Sequence, residues 1–294
     1  MANVEKDSVS GQTTTGHEWD GIKELNTPLP SWWVWVFYAT IVWAIGYWVV
    51  YPSIPTASTH YEGMAGWNAR SALDQELAAA EEARSGWMSE LKARSLAEIV
   101  EDPELMTYAR AGGGIAFADN CAPCHGAGGA GNPGYPTLGD DAWIWGGTLD
   151  EIQTTITHGI RNESPESRAS QMPPFGYLSD QDQQAIASYV AAMASGNASE
   201  GMDGQEQFVN NCGLACHGED GSGQQMIGSP PLNDQIWLCP GRDTCVPEVS
   251  VEEHVMRQMA NPKHGVMPAW SGRLDETTIK MLTVYVHREL GGGQ

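Results

Sequence analysis

Basic residues are scarce in this chain. Fifteen Lys and Arg stand against 37 Asp and Glu, a net charge of −22 over 294 residues. Such a chain repels phosphate backbones, which argues against a nucleic-acid partner. Charge of either sign is missing from Leu25 to Tyr61, which holds no Lys, Arg, Asp or Glu. Phe is rare too, with 4 copies against 12 Trp, so Trp placement carries information. A hydrophobic share of 41% excludes a disordered acidic tail. The length suggests about two domains, and the 34 Gly and 17 Pro predict many turns and short helices.

Inside the uncharged window, Ser31 to Tyr51 reads SWWVWVFYATIVWAIGYWVVY. As a helix it spans roughly 31 Å at about 1.5 Å per residue, which matches a bilayer core. Pro28 and Pro30 precede it, and Pro52 and Pro55 follow it; proline is tolerated at helix starts and just past helix ends. Trp32, Trp33, Trp35, Trp43 and Trp48 lie here, and those near the ends fit interfacial aromatic belts. The run exceeds the apolar core of a signal peptide and no Ala-x-Ala site follows. An uncleaved membrane anchor over 31–52 is expected. Lys23 and Arg70 are the nearest bases on its two sides, so charge counting does not orient it.

Residues 1–30 read as a polar tail. Residues 53–106, rich in Ala and Glu, read as a solvated helical spacer, with Leu73, Leu77, Leu91 and Leu96 at helical spacing. Beyond lies an internal repeat. Gly113, Phe117, Asn120 and Cys121 recur as Gly204, Phe208, Asn211 and Cys212. Cys124-His125-Gly126 recurs as Cys216-His217-Gly218. Pro136, Leu138, Asp140 and Trp143 recur at equal spacing as Pro230, Leu232, Asp234 and Trp237. The chain's two Met-Pro pairs, Met172-Pro173 and Met267-Pro268, come next, and each copy closes on a helical pattern ending Tyr189-Val190 or Tyr285-Val286. Two homologous domains are expected, at 107–196 and 203–290. The fold class is all-α. In each domain a C-terminal helix, carrying Ile186, Tyr189, Val190 and Met193 in the first, is expected to pack across the N-terminal one.

Cys121-Ala122-Pro123-Cys124-His125 has the spacing of covalent c-type haem attachment. Two thiols reach the two vinyl groups of one porphyrin, and the adjacent imidazole stands under the iron. A redox dithiol or zinc ribbon would not need the His, and a ribbon would need a second Cys pair. The sixth ligand is expected from Met172 for the first haem and from Met267 for the second; a thioether favours the ferrous state. His158 or His264 would replace Met in a bis-His alternative. Arg161 is a candidate partner for a haem propionate, or a solvent-exposed residue. The second site, Cys212-Gly213-Leu214-Ala215-Cys216-His217, carries one extra residue between its cysteines. Either the loop bulges and both thioethers form, or Cys216 alone attaches. Cys239 and Cys245 have no counterpart in the first repeat and suit a local disulfide, with a Cys212 pairing as the alternative. His254, His287, His17 and His60 read as surface residues. Covalent haem attachment takes place on the periplasmic side in bacteria, so both repeats are expected there and residues 1–30 in the cytoplasm.

The run Trp19-Asp20-Gly21-Ile22-Lys23-Glu24-Leu25-Asn26-Thr27-Pro28-Leu29-Pro30 before the Trp-rich anchor, then Tyr51-Pro52 and tandem haem domains, resembles the dihaem cytochrome c subunit (subunit III) of cbb3-type cytochrome c oxidases. The resemblance covers nearly the whole chain, and the run before the anchor is its specific part. It implies two covalently bound haems c, held by Cys121, Cys124, His125 and Met172, and by Cys212, Cys216, His217 and Met267. It implies electrons taken from a donor cytochrome c or the bc1 complex and passed to a monohaem subunit. From there they reach the haem–copper subunit of a proton-pumping oxidase. The chain shows no second membrane run and no His cluster for copper, so oxygen chemistry would belong to those partners. A cytochrome subunit of a periplasmic dehydrogenase and a dihaem peroxidase-like enzyme are the rival readings.

Overall fold

The computed structural model describes residues 4–238 and 249–291. Cys239 and Cys245, and the disulfide expected of them, lie outside the described residues. The chain divides into two units, Met1–Ala83 and Arg84–Gln294.

The first unit begins with an antiparallel hairpin, β1 (Thr14–Trp19) and β2 (Ile22–Leu25). The polar tail expected here is therefore partly a sheet. Its cause is local: Asp20 and Gly21 both take positive φ, 50° and 84°, the turn that matches strand twist and that Asp-Gly favours. Helix α1 (Ser31–Val50) follows and buries none of its residues within the unit. It is the described helix long and apolar enough to cross a membrane. Its last carbonyls need donors, since no further turn supplies them. Ser53 Oγ donates to Trp48 O at 2.9 Å, Met64 N to Val49 O at 3.0 Å, and Ala65 N to Val50 O at 2.9 Å. Gly63 permits that return: its φ is +77°, and a Cβ there would lie 2.4 Å from Val50 O.

Helix α2 (Ala69–Ala93) leads into the second unit. Leu73 and Leu77 are exposed, as a solvated spacer requires. The expectation fails further on. Leu91 and Leu96 are buried with Ile99, Leu105, Ala109, Met281 and Val284 in one core, and Trp87 stacks on Tyr108 at 4.0 Å. Lys280 Nζ donates to the carbonyls of Lys92 and Arg94, at 3.0 and 2.9 Å, and so caps the end of α2. Helix α3 (Leu96–Glu101) starts at a capping box, Ser95 with Glu98. Helix α4 (Pro103–Asn120) starts at Asp102, whose side chain accepts from the Glu104 and Leu105 amides. The short helix α5 (Ala122–His125) follows, then α6 (Leu149–His158) and α7 (Asp180–Ala194). The second repeat contains α8 (Gln205–Phe208), a π-helix over Val209–His217, α9 (Val251–Ala260) and α10 (Glu276–Glu289).

The helix packing crosses the repeats. α10, which closes the second repeat, lies on α4 of the first, and α7 of the first lies on α8 and α9 of the second. Equivalent glycines admit the two crossings. A Cβ on Gly113 would lie 2.2 Å from Met281 O, and one on Gly204 would lie 2.0 Å from Ala185 O. Phe117 then meets Tyr285, and Phe208 meets Tyr189, each at 5.5 Å. Both Phe side chains are buried, worth about 1.5–3 kcal/mol apiece. This corrects the expectation that each C-terminal helix packs on the N-terminal helix of its own repeat. Ile186, Tyr189, Val190 and Met193 do form a core face, but against Phe208, Cys212, Val255 and Met259.

Candidate haem sites

The two Cys–His turns share most of their backbone bonds. α4 ends on Cys121, whose amide donates to Phe117 O at 2.8 Å. α5 then carries Cys124 and His125 and stops at Gly126, with φ 76° and ψ 161°. In the second repeat Gly218 takes φ 77° and ψ 149°. Gly131 N donates to His125 O and Gly223 N to His217 O, both at 2.7 Å. Leu138 N on Gly129 O and Leu232 N on Gly221 O repeat the next bond, again at 2.7 Å. The extra residue between Cys212 and Cys216 is absorbed by the π-helix. Gly218 N reaches back five residues to Gly213 O, where Gly126 N reaches back four to Ala122 O. The backbone thus bulges, and Cys216-His217-Gly218 keeps the geometry of Cys124-His125-Gly126. A Cβ on Gly213 would stand 3.1 Å from Gly218 O, a tight contact.

His125 Nδ1 lies 3.0 Å from Pro136 O, and His217 Nδ1 lies 2.9 Å from Pro230 O and 3.2 Å from Ser229 Oγ. A carbonyl only accepts, so each Nδ1 carries the proton and each Nε2 keeps a lone pair for a metal. Burial lowers both imidazole pKa values, against the opposing effect of the proline carbonyls. Burial also pushes the Cys121 thiol up to about 11 and Cys212 up to about 12. None of the four described cysteines is disulfide-bonded. The matched spacing of Pro136 and Pro230 marked them as repeat members, but nothing in the sequence marked their carbonyls as imidazole partners.

A haem c fits this donor set. Each turn offers two thiols and an oriented imidazole beside apolar side chains. Trp143 Nε1 is buried without a protein hydrogen-bond partner among the described residues, in the cluster that holds Cys121, Ala122 and Leu138. It is a ready donor for a haem carboxylate.

The methionines fall opposite to the sequence expectation. Met267 packs in the cluster of Phe117, Cys121, Ala122, Leu138 and Trp143, with Trp270 and Leu274. Met172 packs in the cluster of Cys212, Phe208, Leu232 and Trp237. Met172 is therefore gathered with the second Cys–His turn and Met267 with the first. The cause is the crossed helices, which carry the preceding Met-Pro loops with them. Trp270 N bonds Ile156 O in α6 at 3.2 Å, and Phe175 N bonds Met259 O in α9 at 2.9 Å.

The other singled-out residues are engaged elsewhere. His158 Nδ1 lies 3.1 Å from Glu166. His264 Nε2 accepts from the Met172 amide at 2.9 Å; burial, then the Arg161 charge, lowers its pKa, which favours that neutral acceptor. Arg161 donates to Gly265 O at 2.7 Å and Ser170 O at 2.9 Å, tying together the loops that precede Met172 and Met267. His254 is buried against the edge of Trp237, not on the surface; it takes the helix face that Ile152 holds in the first repeat.

Comparison with known families divides the chain in three. The N-terminal domain of cytochrome oxidase-cbb3, FixP, matches residues 11–58. Cytochrome c matches residues 109–194. Cytochrome C oxidase, cbb3-type, subunit III matches residues 199–286. The chain is similar to the cbb3-type cytochrome c oxidase subunit FixP of Azorhizobium caulinodans, 49% identical over 98% of this chain and 96% of the relative. It is similar to the subunit of the same name from Bradyrhizobium diazoefficiens, 50% identical over 99% and 98%. It is also similar to the cbb3-type cytochrome c oxidase subunit CcoP of an Azospirillum species, 42% identical over the full length of both.

Proposed function

This chain belongs to the FixP family of cbb3-type cytochrome c oxidase subunits, and on that premise we propose how its two haem sites are assembled and used. It is a membrane-anchored dihaem electron-transfer subunit of the oxidase, carrying two covalently bound haems c. Its partners are the haem–copper catalytic subunit and the monohaem cytochrome c subunit. In our reading the first haem is held by Cys121, Cys124 and His125 with Met267 as the sixth ligand. The second is held by Cys212, Cys216 and His217 with Met172. The observation that carries this assignment is the crossed packing, which gathers each Met with the Cys–His turn of the other repeat.

Each haem, when bound, supplies a one-electron iron couple. The chain does the rest. Pro136 and Pro230 fix the imidazoles by accepting from Nδ1, which raises the basicity of Nε2. The methionine sulfurs favour the reduced iron. The Phe117 and Phe208 clusters would keep water from the sites, and Trp143 Nε1 would donate to a propionate. Residues 1–30 lie in the cytoplasm and both haem sites in the periplasm, the side where bacteria attach haem covalently. The donor is a cytochrome c or the bc1 complex, and the acidic chain suits a basic donor protein.

Intact mass with a pyridine haemochrome spectrum tests the attachment. Two haems per chain, with an α-band typical of two thioethers each, is the expected result. One haem, or a red-shifted band from a single thioether, would remove Cys212 from the attachment set.

A further inference from the structure

The two methionine loops are held in different ways. Met267 is fixed by a pair of backbone bonds with Ile160, N–H to O in both directions at 2.9 Å. Asn162 Nδ2 adds a bond to Met267 O at 2.7 Å. Ile160 stands two residues beyond α6. The matching position, two beyond α9, is Pro262, which has no N–H to return such a pair. Met172 is followed by Pro173 and Pro174, which also lack donors. The described bonds that tie this loop down run from Phe175 N to Met259 O at 2.9 Å, from Arg161 to Ser170 O at 2.9 Å, and from Met172 N to His264 Nε2 at 2.9 Å. The last of these acts on the methionine itself. A thioether on three rotatable bonds is adaptable, so its backbone has to be held if the sulfur is to stay on iron.

We propose that His264 is the positioning residue for Met172, so that the loop bearing one haem's sulfur ligand, three residues before Met267, holds the sulfur ligand of the other haem. The two sites are then coupled through protein as well as through space: displacing the 264–267 loop loosens both methionines, whereas the Ile160 pair secures only Met267. This rests on Met172 being an axial ligand, and the test separates the two ideas.

The test is a redox titration of the full-length, haem-loaded chain in detergent, with the near-infrared sulfur-to-iron band of the ferric state. Met172→Ala and Met267→Ala first assign the two waves. His264→Leu is expected to lower the wave that Met172→Ala lowers by at least tenfold in its oxidised-to-reduced ratio, about 59 mV for one electron. The other wave stays in place and the near-infrared band falls by about half. His264→Gln, which keeps an acceptor, restores most of both readouts. No shift in either wave, equal shifts in both, or a shift only in the Met267 wave would overturn the proposal. His264→Ala, which adds no bulk, serves if the leucine variant fails to accumulate. Should Met172→Ala move neither wave, the ligand assignment itself falls, which is a different result from His264 having no role.

Discussion

Gly113 and Gly204 stand at the two points where the helices cross, and what opposes each is backbone. A methyl on Gly113 would meet Met281 O at 2.2 Å, and one on Gly204 would meet Ala185 O at 2.0 Å. Gly204 also takes φ +87°, which other residues rarely adopt. A carbonyl fixed in a helix cannot yield, so Gly113→Ala is expected to cost about 1–3 kcal/mol by overpacking. Gly112→Ala meets only the Met281 thioether, at 2.5 Å, and that side chain can turn aside. Urea unfolding of the haem-loaded chain should therefore rank Gly113→Ala well below Gly112→Ala in stability; the reverse order would mean that the crossing is not set by backbone contact. The residues proposed to attach haem could be named from sequence at this scale, because Cys-x-x-Cys-His in the first repeat is a chemical requirement written in contiguous sequence. Pro136 O and Pro230 O were not, because a main-chain acceptor leaves no mark in the side-chain alphabet.

The helices begin at short polar signals whose carboxylates titrate. Thr148 and Glu151 form a capping box on α6, and Ser95 and Glu98 form one on α3. The Glu98 carboxyl is held below its ordinary 4.5 by the Ser95 amide and hydroxyl, and that of Glu151 by the Thr148 hydroxyl and then its amide. A carboxyl depressed in the fold binds its proton more readily once unfolded. Its contribution is thus complete above about pH 4.5 and lost as pH falls below that value. Unfolding free energy followed from pH 7 to pH 3 should fall off in the acid range, and Thr148→Ala should flatten that fall while costing about 1 kcal/mol at neutral pH. The π-helix gives the second prediction at this scale. Deleting Ala215 would restore Cys-x-x-Cys-His spacing and convert the five-residue bond from Gly218 to Gly213 into an α turn. Two covalent haems by mass are expected to survive the deletion, since the flanking geometry already matches Gly126. Gly213→Val, in contrast, should impair loading at the second site, where Gly218 O lies 3.1 Å from the added carbon. The inserted residue was visible as a change of spacing, and a bulge was one of the two outcomes it left open. The hairpin of residues 14–25 escaped notice because its signal, an Asp-Gly turn between short strands, sat in a segment too polar to suggest a core.

At the scale of the whole chain, the repeat was legible and its pairing was not. Self-similarity reports which segments are equivalent: Gly113 with Gly204, Tyr285 with Tyr189, Met267 with Met172. Equivalence leaves two closures open, since α10 and α7 present the same Tyr-Val face and either would fit either crossing glycine. What selects the crossed closure is three-dimensional: Ile160 pairing with Met267, Arg161 bonding Gly265 and Ser170, and Phe175 docking on α9. This makes truncation a decisive measurement. A chain ending at Ala198 keeps the first Cys–His turn and Met172 in one continuous repeat, but loses Met267 and α10. Under crossed closure its haem has no sulfur to bind, so the ferrous form should take up carbon monoxide and the ferric near-infrared band should be missing. Supplying residues 199–294 as a separate, haem-loaded segment should abolish that carbon monoxide binding, because the missing loop returns with α10 to the Gly113 crossing. If the truncated chain instead resists carbon monoxide and keeps its sulfur band, Met172 has closed on its own repeat. The two haem sites would then be independent modules in solution, and each would have to be stable without the other half of the chain.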